Sequence, residues 1–200
     1  MKKIKEILIG TNNQGKFREI EDLLPKKINK FSPKKLNIPT PEENGNSFDE
    51  NSKIKAKFFS KKTNMICISD DSGLEIDLLS GAPGIFSSRW AGRKNNFNLA
   101  IKKIYQELNK KDVNWKKKKI TANFICCLTI FWPNGKSISS LGKIRGKISS
   151  TKKGKNGFGY DPIFIPNGYN KTFAEMNYKK KCKIDHRFIA FLKLKKFFFT

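Results

Sequence analysis

The sequence predicts an α/β fold: a mixed β-sheet with flanking helices. Short apolar runs intermix with amphipathic segments of helical period along the chain. Two longer apolar runs, residues 120–132 and 136–148, are joined by Pro133-Asn134-Gly135, a good hairpin turn. No repeat, linker or break in composition interrupts the 200 residues, so 1–200 is read as a single domain.

Ile4 to Ile9 reads as a buried strand, and TNNQGK as the polar turn after it. Phe17, Ile20, Leu23 and Leu24 recur at helical spacing up to Pro25. Residues 25–46 are rich in Pro, Asn and Lys and read as irregular, apart from a short strand near Phe31 to Ile38. Ser47-Phe48-Asp49-Glu50 is a capping-box pattern that opens a helix running through Lys62. Met65 to Ile68 is a strand that leads into Asp70-Asp71, and Leu74 to Leu79 is a further strand or helical turn. Gly81 to Gly84 is a loop, and Phe97, Ile101, Ile104, Tyr105 and Leu108 mark a helix over 95–108. After the hairpin come a glycine-rich loop, Gly154 to Asp161, and a last amphipathic helix over Arg187 to Phe198.

Composition narrows the class. With 38% hydrophobic residues and 17 phenylalanines the chain can build a core, despite 30% charged residues. The net charge of +25 raises nucleic-acid binding, but the basic residues are almost all lysine and spread over the whole chain. Only Arg18, Arg89, Arg93, Arg145 and Arg187 are arginine, the residue that base-reading proteins favour. Abundant Lys, Asn, Ile and Phe together suit a gene drifting toward A/T-rich codons, which argues against nucleic acid as the partner. The charge would still attract an anionic substrate. Cys67, Cys126, Cys127 and Cys182 have no metal-type spacing, and a reducing cytosol suits them. The apolar stretch of MKKIKEILIG is too short for a signal peptide, and no run approaches the roughly 20 apolar residues of a membrane span. The expectation is a cytoplasmic protein with no membrane partner.

Four segments carry chemistry. Gly10-Thr11-Asn12-Asn13-Gln14-Gly15-Lys16 lies between a strand and a helix, where backbone N–H groups and the helix dipole favour a phosphate. It satisfies G-x-x-x-x-G-K, yet Phe17 stands where a P-loop needs Ser or Thr for its metal. Metal ligands must then come from elsewhere. Asp70-Asp71 supplies oxygens suited to Mg²⁺, which would relieve their mutual repulsion, with Glu42 and Glu43 as companions. Asn156-Gly157-Phe158-Gly159-Tyr160-Asp161-Pro162 combines two glycines that allow close backbone approach with two aromatic rings on which a base can stack. Asp161 could accept from a base edge. Lys181-Cys182-Lys183-Ile184-Asp185-His186-Arg187 holds the only histidine, beside an arginine able to contact a purine or a phosphate. Taken singly, each segment also has a plain structural explanation: a strand–helix turn, a helix cap, a tight loop, a structural histidine.

In this order the four resemble the inosine/xanthosine triphosphate pyrophosphatases, the Ham1-like family. TNNQGKFREI is similar to a T-x-N-x-x-K-x-x-E segment, and TPEENGNSFDENSKIKAK to an E-E-x-G-x-(S/T)-F-x-E-N-x-x-x-K-A stretch. DDSGLEIDLLSGAPGIFSSRWAG, GFGYDPIF and HR complete the set nearly end to end. The resemblance implies Mg²⁺-dependent hydrolysis of deaminated purine nucleoside triphosphates (ITP, dITP, XTP) to the monophosphate and pyrophosphate. It implies a long twisted mixed sheet whose two lobes flank a central cleft, and a homodimer. Carried across, Thr11, Asn12, Asn13, Gln14, Gly15 and Lys16 would bind the triphosphate with Lys55. Asp71 would ligate Mg²⁺ and act as the base. Glu42, which follows proline three residues before Gly45, would be the second ligand in preference to Glu43. Ser72, Phe158, Gly159, Tyr160, Asp161, Lys181, His186 and Arg187 would hold the nucleotide. Two departures bear on base selection: Asp185 and Phe188 stand where the family usually has Ser and Gly.

Overall fold

The computed structural model describes residues 4–92 and 95–198, so Met1–Lys3 of the N-terminal basic segment and Arg93 lie outside the described residues. Among the described residues six strands form one sheet: β1 (Glu6–Ile9), β2 (Asn29–Phe31), β3 (Cys67–Ile76), β4 (Thr121–Phe131), β5 (Ser137–Ile148) and β6 (Phe164–Pro166), in the order β2-β1-β3-β4-β5-β6. The helices are α1 (Gln14–Leu23), α2 (Phe48–Thr63), α3 (Ser87–Trp90), α4 (Phe97–Lys111), α5 (Tyr178–Lys181) and α6 (His186–Leu194). Next to the edge strand, β1 pairs in parallel with β2 (Leu8 opposite Phe31) and with β3 (Leu8 opposite Cys67). At the other side β6 pairs antiparallel with β5, Ile148 opposite Phe164. The sheet is therefore mixed, as expected for an α/β chain with both crossovers and a hairpin.

The chain divides into two compact units. The first comprises residues 1–71, 126–142 and 187–200. Within it, alternation along β1 sends Ile7 and Ile9 to one face and Leu8 to the other. Ile7 and Ile9 pack with Ile20 of α1 and with Ala190, Phe191 and Leu194 of α6. Leu8 packs with Ala56 and Phe59 of α2, Cys67 and Phe131. Helices on both faces of these strands explain why β1 reads as a continuous apolar run rather than an alternating one. The second unit, residues 72–125 and 143–186, packs Ala100, Ile101, Ile104 and Leu108 of α4 against Leu74, Ile76, Phe124, Phe164 and Phe173.

Three expectations change. The strand that carries the Asp pair does not stop at Ile68 but runs from Cys67 to Ile76, so Asp70 and Asp71 sit within a strand and not at its tip. The strand placed near Phe31 to Ile38 ends at Phe31; Pro33 then opens a 3₁₀ turn over Lys34–Leu36. The last helix becomes a 3₁₀ turn after Leu194. Among the described residues no helix is long and apolar enough to cross a membrane.

Candidate functional site

The first unit assembles its polar residues around β1, α1, α2 and β3. At the end of β1 the chain leaves the sheet at Gly10, where a Cβ would lie 2.8 Å from both Cys67 Sγ and a Phe59 ring carbon. Only glycine fits so close an approach. Ser69 Oγ donates to the Gly10 carbonyl at 2.6 Å and fixes the turn against β3. Thr11 Oγ1 accepts from the Asn13 N–H at 3.2 Å, and Asn13 caps α1 by accepting from the Lys16 N–H at 3.1 Å. The Asn12 amide donates to Thr40 Oγ1 at 2.7 Å. Thr11, Asn12, Asn13, Gln14 and Phe17 line a cavity of about 480 Å³, with Ser32, Lys34 and Lys35 completing its wall. Most of the predicted triphosphate segment therefore faces one hollow with two further lysines at its margin.

Helix α2 starts at Ser47, whose Oγ accepts from the Glu50 N–H at 3.1 Å, while Glu50 reaches back to the Asn46 N–H at 2.7 Å. Its inward face carries Phe48, Asn51, Ser52, Lys55, Ala56 and Phe59. A lysine at that spacing is the anomaly. Lys55 is buried, donates to Glu43 Oε1 at 2.5 Å and lies 3.7 Å from Asp71 Oδ1. Burial alone would lower its pKa, but Asp71, Glu43 and Asp70 outweigh that and raise it.

The two adjacent aspartates solve their repulsion by geometry. Successive side chains of a strand point to opposite faces, and each carboxylate meets its own cation. Asp71 faces Lys55. Asp70, fully buried, has Lys16 Nζ 3.2 Å and Arg187 Nη2 3.0 Å from the same oxygen, Oδ2. Burial disfavours both ionised forms. For Asp70 the charges of Lys16, Arg187 and Lys55 prevail and hold the carboxyl far below the usual range. For Asp71 burial prevails, helped by Glu43 and Asp70 against Lys55 and Lys16, and its pKa is raised.

Of the two loop glutamates, Glu42 is exposed and Glu43 is half-buried on Lys55. Glu43 thus stands near Asp71 through the lysine that they share. Arg187 is 1% exposed, with its guanidinium shared between Asp70 and Glu19 of α1. Glu19 had no role in the sequence reading, although it stands three residues after Lys16 on the same helical face.

In the second unit, Ser72 continues β3 and is half-buried. Asp161 does not project from its loop. Its Oδ2 accepts from the Phe158 N–H at 2.9 Å and from Lys181 Nζ at 2.6 Å, and both Asp161 and Lys181 are 2% exposed. Lys181 also lies 4.8 Å from the Phe158 ring centroid. Gly157 has φ +73° and Gly159 has φ +66°, the left-handed region that lets the loop fold over this pair. Tyr160, expected to offer a stacking face, is buried edge-on against Phe97, with its hydroxyl donating to the Ser87 carbonyl at 2.8 Å. Phe158 is the half-buried ring of the two. His186 is buried and stacks on Phe124, with ring centroids 4.7 Å apart and the two rings nearly parallel.

The sequence and the fold both have known relatives. A sequence profile of the Ham1 family matches residues 7–197. A dITP/XTP pyrophosphatase of Zymomonas mobilis is 41% identical over 189 residues, 94% of this chain and 89% of that protein. Another of that name, from Christiangramia forsetii, is 40% identical over 94% of this chain and 96% of its own. Among solved structures, a HAM1 protein from Coxiella burnetii superposes with a TM-score of 0.84 at 34% identity, covering 96% of this chain and 98% of that one. The Staphylococcus aureus Ham1 protein gives 0.82 at 34% identity, covering 96% and 97%. A match of such length, at such identity and with the same fold, means that the chain belongs to the Ham1 family.

Proposed function

We propose that this chain is a dITP/XTP pyrophosphatase: it hydrolyses dITP, ITP and XTP to the nucleoside monophosphate and pyrophosphate, with Mg²⁺ as cofactor. The observation that carries the reading is the pairing of two lysines with two strand carboxylates beside a capped strand–helix turn. Lys16 reaches Asp70 and Lys55 reaches Asp71 and Glu43, so cationic and anionic groups for a charged phosphoanhydride stand side by side.

The donor set suits a divalent cation. Asp71 is disfavoured as a carboxylate by burial and by two carboxylate neighbours, a strain that a bound cation relieves. All the nearby ligands are hard oxygens, the type that Mg²⁺ prefers. Asp71 would hold the ion, with the loop glutamates Glu42 and Glu43 as its companions. Bound there, the ion would neutralise phosphate charge and acidify a coordinated water. The protein's own groups do the rest. Residues 11–16 position the triphosphate, and Lys16 and Lys55 offset the charge that develops on the leaving pyrophosphate. Asp71 takes the proton of the attacking water as its oxygen bonds to the α-phosphorus and the bond to the bridging oxygen breaks. For the base we propose Ser72 and the Phe158–Asp161 loop, ordered from within by Lys181, together with His186. A homodimer in the cytoplasm completes the reading.

The test is a substrate panel of dITP, XTP, dATP, dGTP and dUTP, with and without Mg²⁺, scored for pyrophosphate against orthophosphate. Mg²⁺-dependent pyrophosphate from dITP and XTP ahead of the others is expected. Stepwise release of orthophosphate, or a preference for dUTP or the standard purines, would overturn it.

A further inference from the structure

The loop that carries Glu42 and Glu43 is tied to the first two turns of α2. Lys55 Nζ donates to Glu43 Oε1 at 2.5 Å, the Gly45 N–H donates to Asn51 Oδ1 at 2.9 Å, and the Asn46 N–H donates to Glu50 Oε2 at 2.7 Å. Asn51 and Lys55 stand four residues apart on the inward face of the helix, so one helical edge grips the loop twice. The contact at Gly45 is close. A Cβ there would lie 2.8 Å from Asn51 Oδ1 and 2.7 Å from Glu50 Cβ. Asn51 is fully buried, and its Nδ2 has no hydrogen-bond partner among the described residues. Burying an amide donor without an acceptor costs stability, and a leucine of similar size would avoid that cost. Packing alone does not explain the amide.

We infer that Asn51 is a positioning residue of the cation site: its amide holds the Gly45 end of the glutamate loop, so that the loop carboxylates meet the ion beside Asp71. The inference rests on the cation reading proposed above. The charged tie cannot hold the loop once the site is in use. Glu43 and Lys55 hold each other in the free chain, but a bound cation draws on the carboxylate and a triphosphate draws on the ammonium. The bond from Gly45 to Asn51 competes for neither ligand, because both of its partners are neutral. It keeps the loop in register with α2 while Lys55 changes partners. Groups that orient metal ligands in this way govern affinity without touching the metal. With an apolar side chain at position 51, the half-buried Gly45 turns its N–H to water, and the carboxylates lose their fixed distance from Asp71. The fold then loses little and the ion loses much.

Mn²⁺ alone, a stand-in for Mg²⁺ that electron paramagnetic resonance can follow, is the probe. Its dissociation constant is measured for the wild-type chain, Asn51→Leu, Gly45→Ala and the Asn51→Leu/Gly45→Ala pair, each checked for folding by its melting transition. Ser60→Ala is the control. It removes the hydroxyl that donates to the Met65 carbonyl at 2.6 Å, toward the other end of α2, and weakens the helix without touching the loop. Asn51→Leu is expected to weaken Mn²⁺ about tenfold while its melting temperature stays within about 4 °C of wild type. Gly45→Ala should act in the same direction, and it serves if Asn51→Leu does not fold. The pair should bind no worse than the weaker single variant, since both changes break one contact. Ser60→Ala should keep the wild-type affinity. Unchanged Mn²⁺ affinity in a folded Asn51→Leu, or in Gly45→Ala where the first does not fold, would overturn the inference. So would an equal loss in Ser60→Ala, additive losses in the pair, or no Mn²⁺ binding by the wild-type chain. Pyrophosphate release from dITP is scored separately. A wild-type chain that binds Mn²⁺, loses it in Asn51→Leu and releases no pyrophosphate sinks the activity and leaves the positioning role standing.

Discussion

Asp70 and Asp71 are neighbours in sequence with opposite relations to stability. Asp71 has a raised pKa, chiefly from burial. A carboxyl whose folded value is raised stabilises the fold while protonated and loses that contribution as pH rises through the folded value. At neutral pH the ionised Asp71 is thus a liability, one that the proposed cation would relieve. Asp71→Asn should melt several degrees higher than wild type in EDTA, while its pyrophosphate release from dITP falls by about 10²–10⁴-fold. A lower melting point in EDTA would count against this account. Asp70 is the reverse: its lowered value contributes stability above the ordinary carboxylate range, lost only as pH falls through the folded value in strong acid. Asp70→Asn leaves Arg187 and Lys16 facing a neutral amide and should cost roughly 3–5 kcal/mol in urea unfolding. The residue types of the site were legible in the sequence, because Asp70-Asp71, Lys16 and Lys55 stand in recognisable spacings. Which of Glu42 and Glu43 turns inward was not, since an irregular loop has no period from which to read direction. The coupling of Glu19 to Arg187 spans 168 positions and leaves no local signal.

Local signals also decided which elements could be foreseen. The start of α2 was legible at Ser47 because an N-cap is a contact between near neighbours. The length of β3 was not. Ser69 to Gly73 interrupts the apolar run and reads as a strand end, whereas the cations behind Asp70 and Asp71 let the strand continue. β6 and α5, of three and four residues, are too short to show a period. The 154–161 loop offers a test at this scale. A Cβ on Gly157 would fall 2.1 Å from Asp161 Oδ2, whereas one on Gly159 would meet nothing closer than a Phe97 ring carbon at 3.7 Å. Both positions carry positive φ, so Gly159→Ala should show backbone strain of about 1 kcal/mol. Gly157→Ala should lose clearly more, with a rise in KM for dITP as Asp161 lets go of the Phe158 N–H. Equal losses at the two positions in thermal melts would show that the Asp161 contact is unimportant.

At the scale of the whole molecule, a charge of +25 is a long-range field acting on a polyanionic substrate. The Debye length shrinks from about 30 Å at 0.01 M salt to about 3 Å at 1 M. kcat/KM for dITP should therefore fall several-fold across that range while kcat holds, and a flat profile would show that the lysines outside the site play no part in capture. Cys67, Cys126 and Cys127 lie on β3 and β4 inside the first unit, and burial lifts all three thiols, Cys127 to about 11. A thiol so placed reacts with a disulfide reagent only when its strand opens. The half-buried Cys182 should be modified first and these three together afterwards, so the sheet carries its own clock for unfolding, readable by mass spectrometry without any added label site.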